Sequence, residues 1–316
     1  MIDTSKLTAY TEEHRLPLLR NAVIGGKSAK LFNLQTGVKG ATALNLLNTD
    51  VQFGDGSACG WNEAGKTSLS QRVITPGYPK VNMSLCDKQL LKYWTNYEVR
   101  IAANQKTLPF EEDFMNGIVE GVAAALEKAI WQGDTAKSSE PNLNKFDGIV
   151  KIAGAATVAA TTAYNASSIS TTLNAMYAAL PSAAFSKGEV VAYISDADYR
   201  KYIQELIANG NLVITNGVND VAMPESVLIP GTNVRVYGVA GLDGVQKAYM
   251  SYKDNFVFGT DLEGDEEKFE MWYSQDNREF RVAIEFVAGT QIAFPDMLVV
   301  AQVGELSFVA LTECLR

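Results

Sequence analysis

The chain has 316 residues, of which 47% are hydrophobic and 20% are charged, and its formal net charge is −9. This length and composition allow a sizeable core with two or more subdomains, and they exclude an intrinsically disordered chain. Nucleic-acid-binding proteins need clustered Lys and Arg to neutralise phosphates, and the chain is acidic without a basic run of that kind. A dedicated nucleic-acid binder is therefore excluded, and contact with DNA is expected to be loose.

The cysteines and the N-terminal residues indicate the cellular compartment in which the chain is made. Cys59, Cys86 and Cys314 are too few and too scattered for a disulfide framework or a CxxC metal site, so we expect reduced thiols and no metal. No run approaches the roughly 18 continuous apolar residues of a membrane-spanning helix. Residues 1–20 also carry charges where a signal peptide would be apolar. We expect no membrane segment and a cytoplasmic place of synthesis.

The first ninety residues have a composition typical of segments that extend from a domain and lack a core of their own. Residues 1–38 hold a short helical pattern around Leu16 and Leu18 and then a polar, Gly-containing stretch, which is typical of an arm that packs on something else. Residues 39–90 consist of short alternating runs interrupted by Gly, Asn and Pro, which predicts a β-hairpin with a long tip. The apolar residues of this hairpin are too sparse to bury both faces. We expect it to lean on a neighbour, such as another subunit.

The stretch from Thr107 to Gly133 predicts a long helix of roughly 35 Å. Pro109 suits a first helical turn, acidic residues follow it at the positive end of the helix dipole, and Gly133 can close the far end. Apolar residues recur at every fourth position and form one stripe. They are Phe114, Ile118, Val122, Leu126 and Ile130. One face of this helix is therefore predicted to be buried along its whole length.

Gly117 and Gly121 interrupt this helix at GxxxG spacing. Each is less favourable in a helix than Ala by about 0.8–1 kcal/mol, which indicates that another backbone approaches closely. Two alternating runs near residues 268–275 and 279–289, joined by a Gln-Asp-Asn turn, predict a hairpin able to lie against the helix. We therefore predict that both glycines face closely packed backbone, either of that hairpin or of an adjacent subunit.

The region between the long helix and the late hairpin predicts a compact α/β module. A helix begins near Ser167 or Ser168 and is stopped by Pro181. A strand then leads to Ser195, which is predicted to cap the next helix together with Asp198 at its third position. Further short strands follow, including one near the C-terminus of the chain at residues 296–303.

One motif suggests enzymatic chemistry. Residues 60–67, GWNEAGKT, fit the phosphate-binding pattern G-x-x-x-x-G-K-[ST]. The segment after Thr67 is strand-like and broken by Pro76, whereas a phosphate-binding loop needs a helix there. We therefore interpret it as a Gly-rich hairpin tip and keep nucleotide binding as a minor alternative. His14 is the sole histidine, so no catalytic triad, catalytic residue or cofactor is predicted.

In order, these elements are an arm, an extended hairpin, a long helix, an α/β module and a closing hairpin, and this order resembles the major capsid proteins of tailed phages. Several runs look like those of crAss-like and related phages. These runs are residues 44–74, 81–90, 146–154, 190–202, 230–244 and 252–265. The resemblance covers nearly the full chain, although no single run carries catalytic residues.

The resemblance implies an α+β, Hong-Kong-97-type fold. Its expected parts are an N-terminal arm at 1–38, an extended loop at 39–90, a peripheral domain with the long spine helix at 91–149, an axial domain at 150–255, a peripheral-domain hairpin at 256–295 and an axial C-terminal strand at 296–316. Such subunits form pentamers and hexamers that close into an icosahedral shell around packaged double-stranded DNA in a virion.

The resemblance also implies where subunits touch. The extended-loop tip is expected to reach over a neighbouring subunit, and its contact candidates are Gly60, Trp61, Asn62, Glu63, Gly65 and Lys66. Expected partners are further copies of the chain, neighbouring capsomers, and scaffold, portal and auxiliary capsid proteins, with only weak, non-specific contact to DNA. An encapsulin-like shell that carries protein cargo shares the fold and remains an alternative.

Overall fold

The computed structural model describes residues 13–50, 53, 66–86, 110–210, 224–261, 268–277 and 279–303. Over these ranges the chain is a mixed α+β protein. Its helices are α1 (Arg15–Ile24), α2 (Lys27–Leu31), α3 (Phe110–Gln132), α4 (Ile149–Ala155), α5 (Ile169–Ala179), α6 (Ser182–Lys187) and α7 (Asp196–Ala208). Its strands are β1 (Asn33–Gln35), β2 (Thr42–Asp50), β3 (Lys66–Ile74), β4 (Lys80–Cys86), β5 (Ala160–Ala163), β6 (Val190–Ser195), β7 (Ser226–Leu228), β8 (Arg235–Val239), β9 (Lys247–Tyr252), β10 (Phe256–Thr260), β11 (Lys268–Ser274), β12 (Glu279–Glu285), β13 (Ala288–Ile292) and β14 (Val299–Gln302).

The α/β module is built on a six-stranded mixed sheet in the order β5-β14-β9-β6-β8-β7. Strand β6, VVAYIS, is buried at every position, as expected for a strand covered on both faces. One face packs on α5 and α7 through residues that include Leu173 and Tyr202. The other face joins the core around the long helix. Strand β14 comes from the far end of the described chain and lies between β5 and β9.

The spine helix α3 runs for 23 residues and packs on a three-stranded sheet in the order β11-β12-β4. Alternate residues of β12, such as Phe280, Val282 and Ile284, are buried against it. The arm helix α1 adds Leu18 and Leu19 to the same core. The predictions of a long helix, of a hairpin against it and of an arm that packs on another element are confirmed.

The extended hairpin pairs β2 with β3 over nine residues each, from Thr42 opposite Ile74 to Asp50 opposite Lys66. At its base lies a small sheet in the order β1-β10-β13. A cluster around Val38, Ile74 and Val257 connects the hairpin to this sheet. The base of the hairpin, called its root below, is therefore held in place by contacts with the small sheet.

Two predicted segments differ from the observed pairing. Strand β4 lies within the range 39–90 expected to be extended loop, yet it pairs with β12 and completes the sheet beside the spine helix. Strands β10 and β13 lie within the range 256–295 expected to be the late hairpin, yet they pair with each other and with β1 in a separate sheet. Pairing partners far apart in sequence leave no trace in a strand's own alternation, which explains both differences.

Candidate assembly surfaces

The extended hairpin presents apolar side chains to the outside. On β3, Leu69 is 78% exposed and Val73 is 45% exposed, and the alternation of the strand places them on the same face. The opposite face carries Leu44 and Leu46, which pack toward the cluster at the hairpin base. One face is therefore anchored, and the other offers apolar surface to a partner.

The predicted contact residues of the tip lie mostly beyond what the structure describes. Gly60, Trp61, Asn62, Glu63 and Gly65 are outside the described residues, whereas Lys66 is the first residue of β3. Strand β3 begins within the motif, so the helix N-terminus that a phosphate-binding loop requires is missing at this place. The strand-like context inferred from the sequence is confirmed.

Hydrogen bonds hold the root of the hairpin to the small sheet. The Gln291 side chain accepts from Arg72 Nη2 at 3.2 Å and donates from Nε2 to the Val73 carbonyl at 2.6 Å. Burial lowers the pKa of the Arg72 guanidinium, although it remains charged at any ordinary pH. These contacts fix the direction in which the hairpin leaves the subunit.

The prediction for Gly117 and Gly121 named two possible neighbours, the late hairpin or an adjacent subunit, and the first of these is wrong. Both glycines are exposed, and a Cβ built on either meets no atom of the described chain within 4 Å. The late hairpin is therefore not the backbone that approaches them. The reason is that the buried stripe of α3, including Met115, Val122 and Leu126, packs into the core, while the two glycines lie on the exposed side of the helix. Contact with an adjacent subunit stays a prediction.

The glycines line a groove of about 550 Å³ between the spine helix and the β4 edge of its sheet. Ile118 and Val122 form one wall, and Val81 and Met83 form the other. Met83 is 48% exposed although it lies on the same face of its strand pair as the buried Val282. The groove is therefore an exposed apolar surface directly beside the buried core.

The far end of the spine helix is closed by a charged cluster. Gly133 N donates to the Ala129 carbonyl at 2.9 Å, which is the last helical hydrogen bond at this end. Lys151 Nζ lies 2.7 Å from Asp134 and 2.8 Å from Asp147. Hydrogen bonds from Lys151 lower the pKa of Asp134, and the same contacts raise the pKa of Lys151. The cluster ties the helix end to α4.

The arm is joined to the spine helix by a buried polar contact. Glu127 of α3 is 5% exposed and accepts hydrogen bonds from Ser28 N at 2.9 Å and from Ser28 Oγ at 2.5 Å. Trp131 Nε1 donates to Ser28 Oγ at 2.6 Å. The sequence analysis missed this contact, since nothing in either segment signals that residues 99 positions apart meet.

In the α/β module, Asp198 is the centre of a second polar network. Ser195 caps α7 by accepting from Asp198 N at 3.1 Å, which confirms the predicted cap. Asp198 also accepts from Tyr164, from Ser195 Oγ at 2.8 Å and from Lys201 at 2.9 Å. Burial alone would raise the pKa of Asp198, but these bonds outweigh it and hold the pKa below its usual value.

The described ranges hold neither a membrane-spanning helix nor a group of side chains suited to a metal ion. No helix there is long and apolar enough to cross a membrane. No group of three or more His, Cys, Asp or Glu side chains in that part of the chain is placed to hold a metal ion. The exposed hairpin face and the groove are candidate surfaces for contact with another molecule.

The chain is similar to known proteins in its fold and not in its sequence. No protein-family model matches the chain, and no curated protein is similar to it in sequence. A chain from the procapsid of satellite phage P4, solved with its size determination protein, superposes with a TM-score of 0.61 at 10% identity, covering 97% of this chain and all of that one. The chain therefore has a phage major capsid protein fold.

Two other solved structures share this capsid fold. A capsid chain of a native gene transfer agent particle has a TM-score of 0.56 at 10% identity and covers 90% of each chain. A virus-like particle from Pyrococcus furiosus has a TM-score of 0.52 at 12% identity, covering 92% of this chain and 98% of that one. The predicted Hong-Kong-97-type fold is confirmed, while the narrower likeness to crAss-like phages stays a prediction.

Proposed function

We propose that this chain is a structural, non-enzymatic subunit: the major capsid protein that assembles into the shell of a tailed phage. The observation that carries the proposal is the likeness to the P4 procapsid chain, because it extends over 97% of this chain and therefore includes arm, hairpin and spine helix together. A fold alone does not specify function, so surfaces suited to assembly supply the second support. The exposed face of the extended hairpin is such a surface.

In the proposed shell the subunits form pentamers and hexamers that close into an icosahedron around double-stranded DNA. Each hairpin buries its apolar face on the next copy, and residues 60–66 at its tip make inter-subunit contacts. Heterologous contacts of this kind close into rings around five-fold and six-fold axes. Scaffold, portal and auxiliary capsid proteins are the other expected partners.

The negative net charge of the chain favours a shell that encloses DNA without binding it tightly. The net charge of −9 favours weak, non-specific contact with the packaged genome, since strong binding would need many Lys and Arg on phosphates. The proposed location is the virion, with assembly in the cytoplasm of the bacterial host. No cofactor and no catalytic residue belong to this function.

A protein-cargo shell is the second candidate, because the virus-like particle from Pyrococcus furiosus shares the fold. The two candidates differ in the contents of the shell. A nucleotide-binding enzyme built on residues 60–67 is disfavoured, since the strand β3 occupies the place where a phosphate-binding helix would begin.

Assembly of the purified chain tests the proposal. We expect rings or closed shells in negative-stain images and a matching fast-sedimenting species at raised concentration or with scaffold protein. Shells recovered from infected cells should contain double-stranded DNA, whereas protein cargo would favour the second candidate. A compact monomer under every condition would contradict both.

A further inference from the structure

The junction between arm and spine helix is unusually tight at one point. Helices α1 and α2 are joined through Gly25 and Gly26. A Cβ at Gly26 would lie 2.7 Å from Glu127 Oε2, and a Cβ at Gly25 would lie 3.3 Å from Ala123 Cβ and 2.1 Å from the Asn21 carbonyl oxygen. Only glycines allow this turn to press directly onto α3. The turn therefore brings Ser28 into contact with a carboxylate inside the core.

The hydrogen bonds around that carboxylate form a chain with a direction. Trp131 Nε1 donates to Ser28 Oγ, and Ser28 Oγ and Ser28 N donate to the two Glu127 oxygens. Trp131 is fully buried and can only donate. Ser28 Oγ is therefore oriented to give its proton to Glu127, which suits an ionised carboxylate.

No cation forms an ion pair with this buried carboxylate, Glu127, in the described part of the chain. Lys27 on α2 favours its ionised form from a distance, Asp196 at the start of α7 opposes it, and Tyr193 on β6 faces it as a phenol. Burying an ionised carboxylate without a paired cation costs free energy. Binding of a proton removes this cost because it neutralises the group.

We propose that Glu127, Ser28 and Trp131 form a proton-controlled latch: uptake of a proton by Glu127 tightens the arm on the spine helix, and loss of that proton loosens it. The latch lies within one subunit. It goes beyond the proposed shell function and does not depend on it. Neutral Glu127 keeps its carbonyl oxygen as an acceptor for the Ser28 hydroxyl, so this hydrogen bond persists after the proton is bound.

The direction of the pH effect follows from linkage. Burial raises the pKa of Glu127, and the Ser28 hydrogen bonds offset only part of that rise. When the arm opens, water reaches the carboxylate and its pKa returns toward the ordinary value of 4.5. A raised pKa in the closed state stabilises that state fully below about pH 4.5, and this stabilisation is lost as pH rises through the raised value. Arm opening should therefore increase with pH, by at most about tenfold per pH unit for one proton.

Hydrogen exchange of the α2 amides tests the latch. Exchange would be measured on the full chain, in the assembly state in which it purifies, between pH 5 and pH 8 and corrected for intrinsic exchange rates. In the natural chain we expect the opening constant of α2 to rise with pH. In Glu127→Gln, which keeps the shape and an acceptor oxygen, the opening constant should not vary with pH and should be lower at pH 8 than in the natural chain.

Two further variants keep the test decisive. Glu120→Gln changes an exposed carboxylate on the same helix and should keep the natural pH slope. Ser28→Ala removes a hydrogen bond that favours the ionised form, so it should move the pH-dependent window to higher pH. The latch is excluded if α2 opening in the natural chain is flat or falls with pH, if Glu127→Gln keeps the slope, or if Ser28→Ala leaves the window in place.

Discussion

Asp198 shows how a single buried side chain holds the α/β module together. It is 8% exposed and connects the loop after β5, through Tyr164, with the first turn of α7, through Ser195 and Lys201. In Asp198→Asn the charge is lost and an amide NH₂ is directed toward donors. We expect a loss of about 1–3 kcal/mol in the free energy of unfolding at pH 7, measured by chemical denaturation of dissociated subunits.

The same residue predicts an acid dependence. Because the pKa of Asp198 is depressed in the folded state, its stabilisation is present above the unfolded pKa, about 3.9, and is lost as pH falls through the folded value. The difference in unfolding free energy between the natural chain and Asp198→Asn should therefore shrink below about pH 4. Asp243→Asn, at an exposed position, is the control and should change little at any pH. A difference that is constant with pH would exclude a role for the Asp198 charge.

The spine helix carries a prediction about its glycines. Neither Gly117 nor Gly121 has a described neighbour that a methyl group would strike, so replacing both by Ala should stabilise the dissociated subunit by roughly 1.5–2 kcal/mol through helix propensity alone. If an adjacent subunit's backbone packs against them, the same double variant should assemble poorly. Thermal unfolding measures the first effect, and the yield of shells by sedimentation measures the second.

The exposed Ala124 on the same helix gives a matched control. Ala124→Gly should cost about 1 kcal/mol of subunit stability and leave assembly intact. Normal shell yield from the Gly117→Ala, Gly121→Ala double variant would mean that no backbone approaches these glycines. Their presence would then have no packing explanation.

Elements were predictable from sequence where the information is local. The fourfold spacing of apolar residues defined the spine helix, and Ser195 with Asp198 defined the start of α7, because caps and helical stripes depend on neighbours within one turn. The pairing of β4 with β12 and the bond between Ser28 and Glu127 were not predictable. Both join residues about a hundred or more positions apart, and neither partner's local pattern specifies the other.

At the scale of the whole molecule, the proposed assembly contacts of the extended hairpin lie apart from the cores that stabilise the fold. Among the side chains that the structure describes, no residue of β2 or β3 is a buried member of the main cores around α3 and around α5 and α7. Replacing residues 51–65 by Asn-Gly would join Asp50 to Lys66, the last residue pair of the hairpin, through a two-residue turn. We expect the shortened chain to keep its secondary structure by circular dichroism and a cooperative unfolding transition.

The same variant should lose shell assembly, because the proposed contacts at the tip would be gone while the subunit stays folded. Sedimentation and negative-stain imaging would show small species where the natural chain gives shells. The control shortens the exposed loop at residues 136–139, which lies at the opposite end of α3 from the chain's entry into that helix. If the hairpin variant assembles as well as that control, the tip makes no necessary contact, and the exposed Leu69 face would have to carry the interaction by itself.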